Sequence, residues 1–380
     1  MPVLRSVRSR FERERPLDGV TVGACLHVTS ETACLVRTLQ AGGAVVSLCA
    51  SNPYATQADV AAALSEEAEV HTPDDWASGV AAVVARAPRI TLDDGADLLG
   101  ALHAARPDLL DGMLGGTEET STGLVRLRAL QAEGRLAVPV IAVNEARAER
   151  AFNDRFGTGQ SVLDGVLRAT NLLLAGQTVV VLGYGWTGRG VALRAHGLGA
   201  SVIVCEVDPL RALEARMEGF AVMRSLEAAA RGDVFITVTG GRDVLRAEHF
   251  ALMKDGAVLA NAGHFDVEIS LDDLRAAADS VRDVLPLVTR YDLGDRSLNL
   301  LAGGRVVNLA AAQGHPAAVM DVSFALQALA AEALAGGGWE PGVHPVPDAI
   351  EREVAALKLA ALGVEIDELT AEQAEYRARF

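Results

Sequence analysis

Carboxylates, histidines and hydroxyls gather at four places along the 380-residue chain. Cys25-Leu26-His27-Val28-Thr29 stands before a helix candidate with Glu31 in its first turn. An imidazole there could shuttle a proton, or could be a buried, hydrogen-bonded side chain. Leu92-Asp93-Asp94-Gly95-Ala96-Asp97 sets three carboxylates after an apolar strand, which suits acid/base work and equally suits a solvated turn. Thr117-Glu118-Glu119-Thr120-Ser121-Thr122-Gly123 is dense in acceptors and hydroxyls, and its plain reading is a helix cap. Gly314-His315-Pro316 places an imidazole before a long helix. No His/Cys/Asp set has zinc spacing, so no metal is expected, and no serine nucleophile elbow is present. Proton transfer beside a bound cofactor is the remaining chemistry.

The cofactor signal is Thr178-Val179-Val180-Val181-Leu182-Gly183-Tyr184-Gly185-Trp186-Thr187-Gly188, an apolar strand running into G-x-G-x-x-G and then a helix. Gly183 permits the tight turn, Gly185 lets backbone approach a pyrophosphate, and Gly188 allows close helix–strand packing. The helix start offers free N–H groups to phosphate. The next strand ends at Glu206. A carboxylate there accepts from both ribose hydroxyls and repels a 2'-phosphate, so NAD is expected rather than NADP. Thr239 and Asn261 follow two further strands and would border the same crevice.

These residues need a scaffold. Short apolar strands alternate with helices of 10–13 residues, which indicates parallel α/β units. One series runs from a helix over about Thr29–Gln40 and a strand over Ala44–Cys49 to the strand Pro139–Val143, a second from Gly176 to Leu259, with a helix over Ser161–Leu174 between them. The fold class expected is α/β: two doubly wound parallel-sheet domains, the second Rossmann-type, plus a helical C-terminal region. The boundaries are 1–155 with 310–345, then 156–309, then a helical tail over 346–380. Val319–Leu334 reads as a long helix and 341–347 as an extended turn.

Composition sets limits on partners. Half the residues are hydrophobic, yet aromatics are only 4%, so the apolar surplus is small aliphatics suited to buried parallel strands. The formal net charge of -16 disfavours nucleic-acid binding. The basic first 15 residues lack an apolar run after them, and no uncharged apolar stretch of 18 residues occurs, so no signal peptide or membrane partner is expected. Four cysteines without Cys-x-x-Cys pairing suit buried thiols and a cytoplasmic location.

Taken together, the sequence resembles the S-adenosylhomocysteine hydrolase family over nearly its whole length. The resemblance rests on Gly23 through Thr29, Asn52 through Gln57, Leu92 through Leu98, Glu118 through Gly123, Gly183 through Gly190, Asn261 through Glu268, and Gly314-His315-Pro316. It implies a small-molecule adenine nucleoside substrate and a bound NAD that oxidises the nucleoside 3'-hydroxyl. The 4' proton is then acidic, a 5' thiol leaves, water adds, and the hydride returns. It implies Asp94 as the base at C4', His27 as acid/base at C5', and His264 near the 3' side. Leu26, Thr29, Glu31 and Gln57 would line the adenine pocket, with Glu31 accepting from the exocyclic amine. Glu119 and Asn144 would meet the sugar, and His315 would gate the channel. Thr120, Ser121, Thr122, Trp186 and Thr187 would help hold NAD, with Asn308 near its amide. A homo-oligomer, tetramer or dimer, is also implied.

The departures fall in one stretch. The family carries Lys four residues before an Asp-Asn pair. Aligned on Phe152, this chain has Glu149 for the Lys and Asn153-Asp154 for the pair. Charge is inverted beside a developing alkoxide. Glu149 could be the base itself if burial raised its pKa, and Asp154 could hold the diol. The replacements leave open an epimerase, lyase or dehydrogenase on a related nucleoside, or a silent nucleoside-binding homologue.

Overall fold

The computed structural model describes residues 1–51, 56–73 and 75–379. The part of the 52–57 motif at positions 52–55 lies outside the described residues. Two sheets organise the chain. The first contains β1 (Thr21–Leu26), β2 (Val45–Ala50), β3 (Glu69–His71), β4 (Ile90–Asp93), β5 (Gly115–Glu118) and β6 (Pro139–Ala142). The second contains β7 (Thr178–Leu182), β8 (Ser201–Cys205), β9 (Ala221–Val222), β10 (Val234–Thr237), β11 (Ala257–Asn261), β12 (Ser280–Leu285), β13 (Val288–Leu293) and β14 (Arg296–Leu301). A last strand, β15 (Gly342–Pro345), returns to pair with β6 and closes the edge of the first sheet.

The first sheet is wholly parallel, in the order β15-β6-β5-β4-β1-β2-β3. The second runs β12-β13-β14-β11-β10-β7-β8-β9 and is mixed rather than purely parallel, because β13 is antiparallel to both β12 and β14. Asp295 follows Gly294, which has φ 74°, at the tight turn between β13 and β14. Segment 341–347, expected as a turn, supplies β15 instead. Val343 and His344 pair in parallel register with Val140 and Ile141 at the sheet edge, a pairing that the flanking glycine and prolines conceal.

The strands buried on both faces are runs such as Val179-Val180-Val181-Leu182, all at or below 2% exposure. β-branched residues fit the pleat and both faces are covered by helices. In both sheets the order of strands reverses beside the first strand of its series, β1 and β7. The crevice outside the strand ends opens there.

The helix Ala317–Ala335 lies in the core of the first half, against β4, β5 and the N-terminal helix Pro2–Glu14. It is long and apolar enough to cross a membrane by length and composition, yet 67% of it is buried within the molecule. Its Asp321 is fully buried. The carboxylate accepts from the backbone N–H groups of Val3 at 3.2 Å and Leu4 at 3.0 Å, and from Lys358 Nζ at 3.0 Å. One charge thus joins the first helix, the core helix and the helix Asp348–Ala361. Buried charges persist when paired and hydrogen-bonded in this way.

Between the sheets the chain passes through Glu149–Thr158, a wide π-type helical turn continuous with the helix Gly159–Thr170. Such turns lack the regular ladder and often carry functional side chains. It packs so tightly on the helix Trp186–Gly197 that a Cβ on Gly190 would stand 1.8 Å from the Arg155 carbonyl oxygen.

Candidate functional site

One cavity of roughly 2010 Å³ lies across the strand ends of both sheets. Single small-ligand sites are about 300–1,000 Å³, so the space suits a dinucleotide and a nucleoside together. Nearly every residue singled out from sequence lines it. From the first sheet come Leu26, His27, Thr29, Glu31, Gln57, Asp94, Glu119, Thr120, Ser121, Thr122 and Asn144. The linking turn adds Asn153 and Asp154. The second sheet adds Gly183, Gly185, Trp186, Thr187, Glu206, Thr239 and His264, and the return segment adds Asn308 and His315.

Three expected contacts stand behind the wall. Gly188 is buried in the helix, where a Cβ would lie 2.1 Å from the Gly183 carbonyl oxygen. Its role is packing. Asn261 is fully buried, and its amide donates to the carbonyls of Gly263, Phe265 and Gly304 while Oδ1 accepts from Thr237 and Gly263. It ties loops together and has no group left for a cofactor. Glu149 is 1% exposed and sits behind Asn153.

The sharpest pairing is His27 with Asp94. β1 ends at Leu26 and β4 at Asp93, and the two strands are adjacent and in register. The residues just past their ends therefore meet: His27 Nε2 lies 3.0 Å from Asp94 Oδ2. Ser51 Oγ donates to the same oxygen at 3.0 Å. Burial alone would raise Asp94, but His27, helped by His264 and the Ser51 hydroxyl, holds it below the ordinary carboxylate range. Burial likewise works against a charged His27, and the Asp94 charge and hydrogen bond outweigh it, leaving His27 raised. The pair is an ionised carboxylate beside a readily protonated imidazole. His315 differs. Burial and the nearby His27 push it down to about 4, so it is neutral, with Nε2 2.8 Å from the Thr158 hydroxyl.

The neighbouring carboxylates divide by strand register. Asp93 and Glu118 are paired across β4 and β5 and point away from the cavity. Asp93 accepts from the Leu98 and Leu99 N–H groups and caps the next helix, and burial lifts it to about 7. Glu118 accepts from Gly95 and Thr120. Burial, reinforced by Asp93, raises it well above the usual range. Glu119, one residue on, faces the cavity. Burial raises it strongly, and the charges of Asp94 and Glu149 add to that. Its one good donor is Gln327 Nε2, at 2.7 Å from the core helix.

The turn bearing the inverted charges is crowded with like charge. Burial pushes Glu149 up to about 8 and Asp154 adds to it, while the Asn153 amide, which donates to Glu149 Oε1, opposes it. Ser323 lies alongside and eases the shift, yet neither its hydroxyl nor Glu149 Oε2 closes a well-formed hydrogen bond. Asp154 is raised by burial to about 7, with Arg150 opposing. Arg150 itself is held by Glu145 at 3.2 Å.

The cofactor half fits a dinucleotide. Gly183 has φ 105° and a Cβ there would meet the Val238 carbonyl at 2.7 Å, so only glycine makes the turn. Around Gly185 the nearest atom to such a Cβ is 3.8 Å away, leaving backbone open for a phosphate. The helix begins at Trp186 with free N–H groups. Glu206 accepts from the N–H groups of Tyr184 (2.6 Å), Val207 (2.7 Å) and Asp208 (3.0 Å). It braces the glycine loop, and about one of a carboxylate's four acceptor directions stays free for a ribose hydroxyl. Thr120 and Thr239 are similarly engaged, Thr120 capping its helix and Thr239 donating to Glu268. Asn308 Oδ1 is buried without a donor. Among the described residues no group of three or more His, Cys, Asp or Glu is placed to hold a metal.

Two family models match the chain. One is the S-adenosyl-L-homocysteine hydrolase NAD binding domain, over residues 154–314, and the other is S-adenosyl-L-homocysteine hydrolase, over residues 1–111. The chain belongs to the S-adenosyl-L-homocysteine hydrolase family. It is an NAD-dependent enzyme of that family. An adenosylhomocysteinase of Aquifex aeolicus is 54% identical over 386 residues, 99% of this chain and 92% of the relative. An S-inosyl-L-homocysteine hydrolase of Methanosarcina acetivorans is 53% identical over 383 residues, 99% of this chain and 93% of the relative. Among solved structures, the A chain of dipicolinate synthase from Bacillus subtilis superposes with TM-score 0.50 at 15% identity, covering 84% of this chain and 98% of that one. That likeness shows the fold alone.

Sequence reasoning gave no role to Gln327, Glu268 or Ser51. Gln327 left a trace, an amide in the apolar run Phe324-Ala325-Leu326-Gln327-Ala328-Leu329. Glu268 accepts from Thr239 and Gly240 and holds that loop, 28 residues away in sequence. It closes the segment Asn261 through Glu268 on which the resemblance partly rests, but its spacing does not reveal this contact.

Proposed function

We propose that the chain cleaves the 5'-thioether of a purine nucleosyl homocysteine by reversible oxidation at C3', elimination of the thiol and addition of water. The observation that carries this reading is the His27–Asp94 pair, 3.0 Å apart, in one cavity with the glycine loop. NAD held on the Gly183–Thr187 loop, with Glu206 and Asn308 beside it, would take and return the hydride at C3'.

The chain's own groups do the rest. Asp94, ionised and anchored by Ser51, takes the proton at C4'. His27, raised and within hydrogen-bond reach of Asp94, gives a proton to the leaving thiol and later takes one from water. General acid/base steps of this kind contribute about 10²–10⁴-fold. Neutral His315 leaves the approach uncharged. Glu119 and Asp154 accept from the sugar hydroxyls, and Asn144 and His264 border them. Glu149 acts through Asn153.

For the base, Leu26, Thr29, Glu31 and Gln57 form the pocket. Glu31 is an acceptor only, which suits the N6 amine of adenine and opposes the O6 carbonyl of hypoxanthine. The division at residues 155 and 310, a homo-oligomer and a cytoplasmic location are part of the same proposal. Thiol release is measured with S-adenosylhomocysteine and S-inosylhomocysteine in parallel. Release from the adenosyl substrate at the higher kcat/KM supports the reading, and no thiol from either overturns it.

A further inference from the structure

Among the described residues five arginines and no lysine line the cavity: Arg150, Arg211, Arg224, Arg242 and Arg246. Three of them are closely paired. Arg150 meets Glu145 at 3.2 Å, Arg242 meets Asp243 at 3.2 Å, and Arg246 meets Glu248 at 2.5 Å. Arg211 has only Asp208, at 3.9 Å. Arg224 makes no ion pair among the described residues. In a chain of net charge -16, two cations on a cavity wall without close partners are available to negative charge that arrives with a ligand.

Both stand at one end of the cavity. Arg211 is in the first turn of the helix Pro209–Met217, which follows β8. β9 runs beside β8 with Val222 opposite Val204, and that register carried past the strand ends sets Arg224 level with Glu206. The two carboxylates close by are turned to backbone. Glu206 accepts from the N–H groups of Tyr184, Val207 and Asp208. Asp208 Oδ1 accepts from the N–H groups of Leu210 at 2.8 Å and Arg211 at 3.3 Å, capping the helix. The Arg211 guanidinium reaches toward the glycine loop. Its Nη1 is the nearest atom to the place a Cβ on Gly185 would take, at 3.8 Å. The donor fork therefore lies over the stretch where the loop backbone is open and the helix Trp186–Gly197 begins.

We propose that Arg211 is a cofactor-binding residue: it closes on the pyrophosphate of NAD from the side opposite the loop N–H groups, and Arg224 adds positive charge at the adenosine ribose. A pyrophosphate carries two negative charges, whereas a helix start supplies only about half a positive one. A guanidinium brings a full charge and a planar pair of donors matched to phosphate oxygens. Arg211 is 54% exposed and loosely held, so turning to the phosphate breaks no strong contact. The inference rests on the placement of NAD on the Gly183–Thr187 loop and gives that placement a side chain.

The test is the rate at which the NAD-loaded enzyme releases NAD on dilution, measured at about 0.1 M and about 1 M salt, where the screening length falls from about 10 Å to about 3 Å. Arg211→Gln is expected to release NAD about tenfold faster than wild type at the lower salt, the scale of one charge-assisted hydrogen bond, and to differ less from it at the higher. Arg211→Lys keeps the charge without the fork and should fall between the two. Arg224→Gln should show the same salt signature with a smaller change. Arg242→Gln, on the same wall but paired with Asp243, should release NAD at the wild-type rate. Release from Arg211→Gln within about twofold of wild type at the lower salt overturns the inference, being less than a charged hydrogen bond would give. So does an equal effect from Arg242→Gln, or a loss that is the same at both salt concentrations and that Lys does not recover. Thiol release is not read in this measurement, so a failure here leaves the proposed reaction standing, and the thiol assay on the wild type tests that reaction alone.

Discussion

The cavity has two acidic corners, and they are built on opposite principles. In one, Asp94 meets His27 and Ser51, and unlike charges settle each other: the carboxylate is held low and the imidazole high. In the other, burial raises Glu119, Glu149 and Asp154, neighbouring carboxylates add to the first two, and Arg150 only partly opposes the third. Burial is severe in both. The His27 charge and hydrogen bond overcome burial at Asp94, and nothing of that strength faces the other three. Carboxylates at similar depth in one cavity thus hold different protonation states at neutral pH, which is how one site keeps a base ready while storing protons next to it.

Breaking the paired corner is expected to have the largest effect. Asp94→Asn keeps the shape and removes the charge, and thiol release should fall by about 10²–10⁴-fold while NAD binding is retained. A fall of less than tenfold would mean the pair is not the proton-handling element.

Relieving the crowded corner should show in stability rather than rate. Glu149 is raised from 4.5 to about 8 in the fold. Between those values the unfolded chain has lost its proton and the folded chain retains it. Stability is therefore full below about pH 4.5 and declines as pH rises to about 8. Asp154, raised from 3.8 to about 7, has the same sign. Glu149→Gln removes the larger share, so the variant should be about 2–3 kcal/mol more stable than wild type at pH 8 and close to it at pH 5. Denaturant titrations at the two pH values check this, and a steeper decline in the variant would refute it.

Smaller changes sharpen the contrast. Gln327→Leu strips Glu119 of its donor and leaves the Thr117 hydroxyl, which donates to Gln327 Oε1, unpaired. A loss of about 1–3 kcal/mol is expected in thermal or denaturant unfolding. Ser51→Ala removes one donor from Asp94 while His27 remains. The acid limb of the pH–rate profile should move up by less than about one pH unit.

Much of this was legible before any coordinates. β7, β8 and β10 have the bounds that their apolar runs indicate, and the glycine loop sits where strand meets helix. His27 and Asp94 could be singled out because each follows a buried strand, and parallel register brings such residues together. The remainder depends on packing. Gln327 touches Glu119 across 208 residues, and only the seating of the core helix on β5 makes that contact. Asn261 had the right type and place for a cofactor ligand. Its bonds to Gly263, Phe265 and Gly304 depend on loops whose courses no spacing reveals. The depth of Glu149 was equally hidden, because a π-type turn rotates its side chains away from the faces that a regular helical period assigns.

Asp321 carries a practical consequence. It is buried on the helix that also bears Gln327, and it is satisfied by the backbone of residues 3 and 4. Altering the segment around Val3 and Leu4, by trimming or by fusing a tag that pulls them away, would leave that carboxylate with Lys358 as its remaining partner, six residues from the amide that steadies Glu119. Activity assays on N-terminally altered protein would then report on the catalytic carboxylates from a distance, and preparations differing only in their first few residues should not be assumed equivalent.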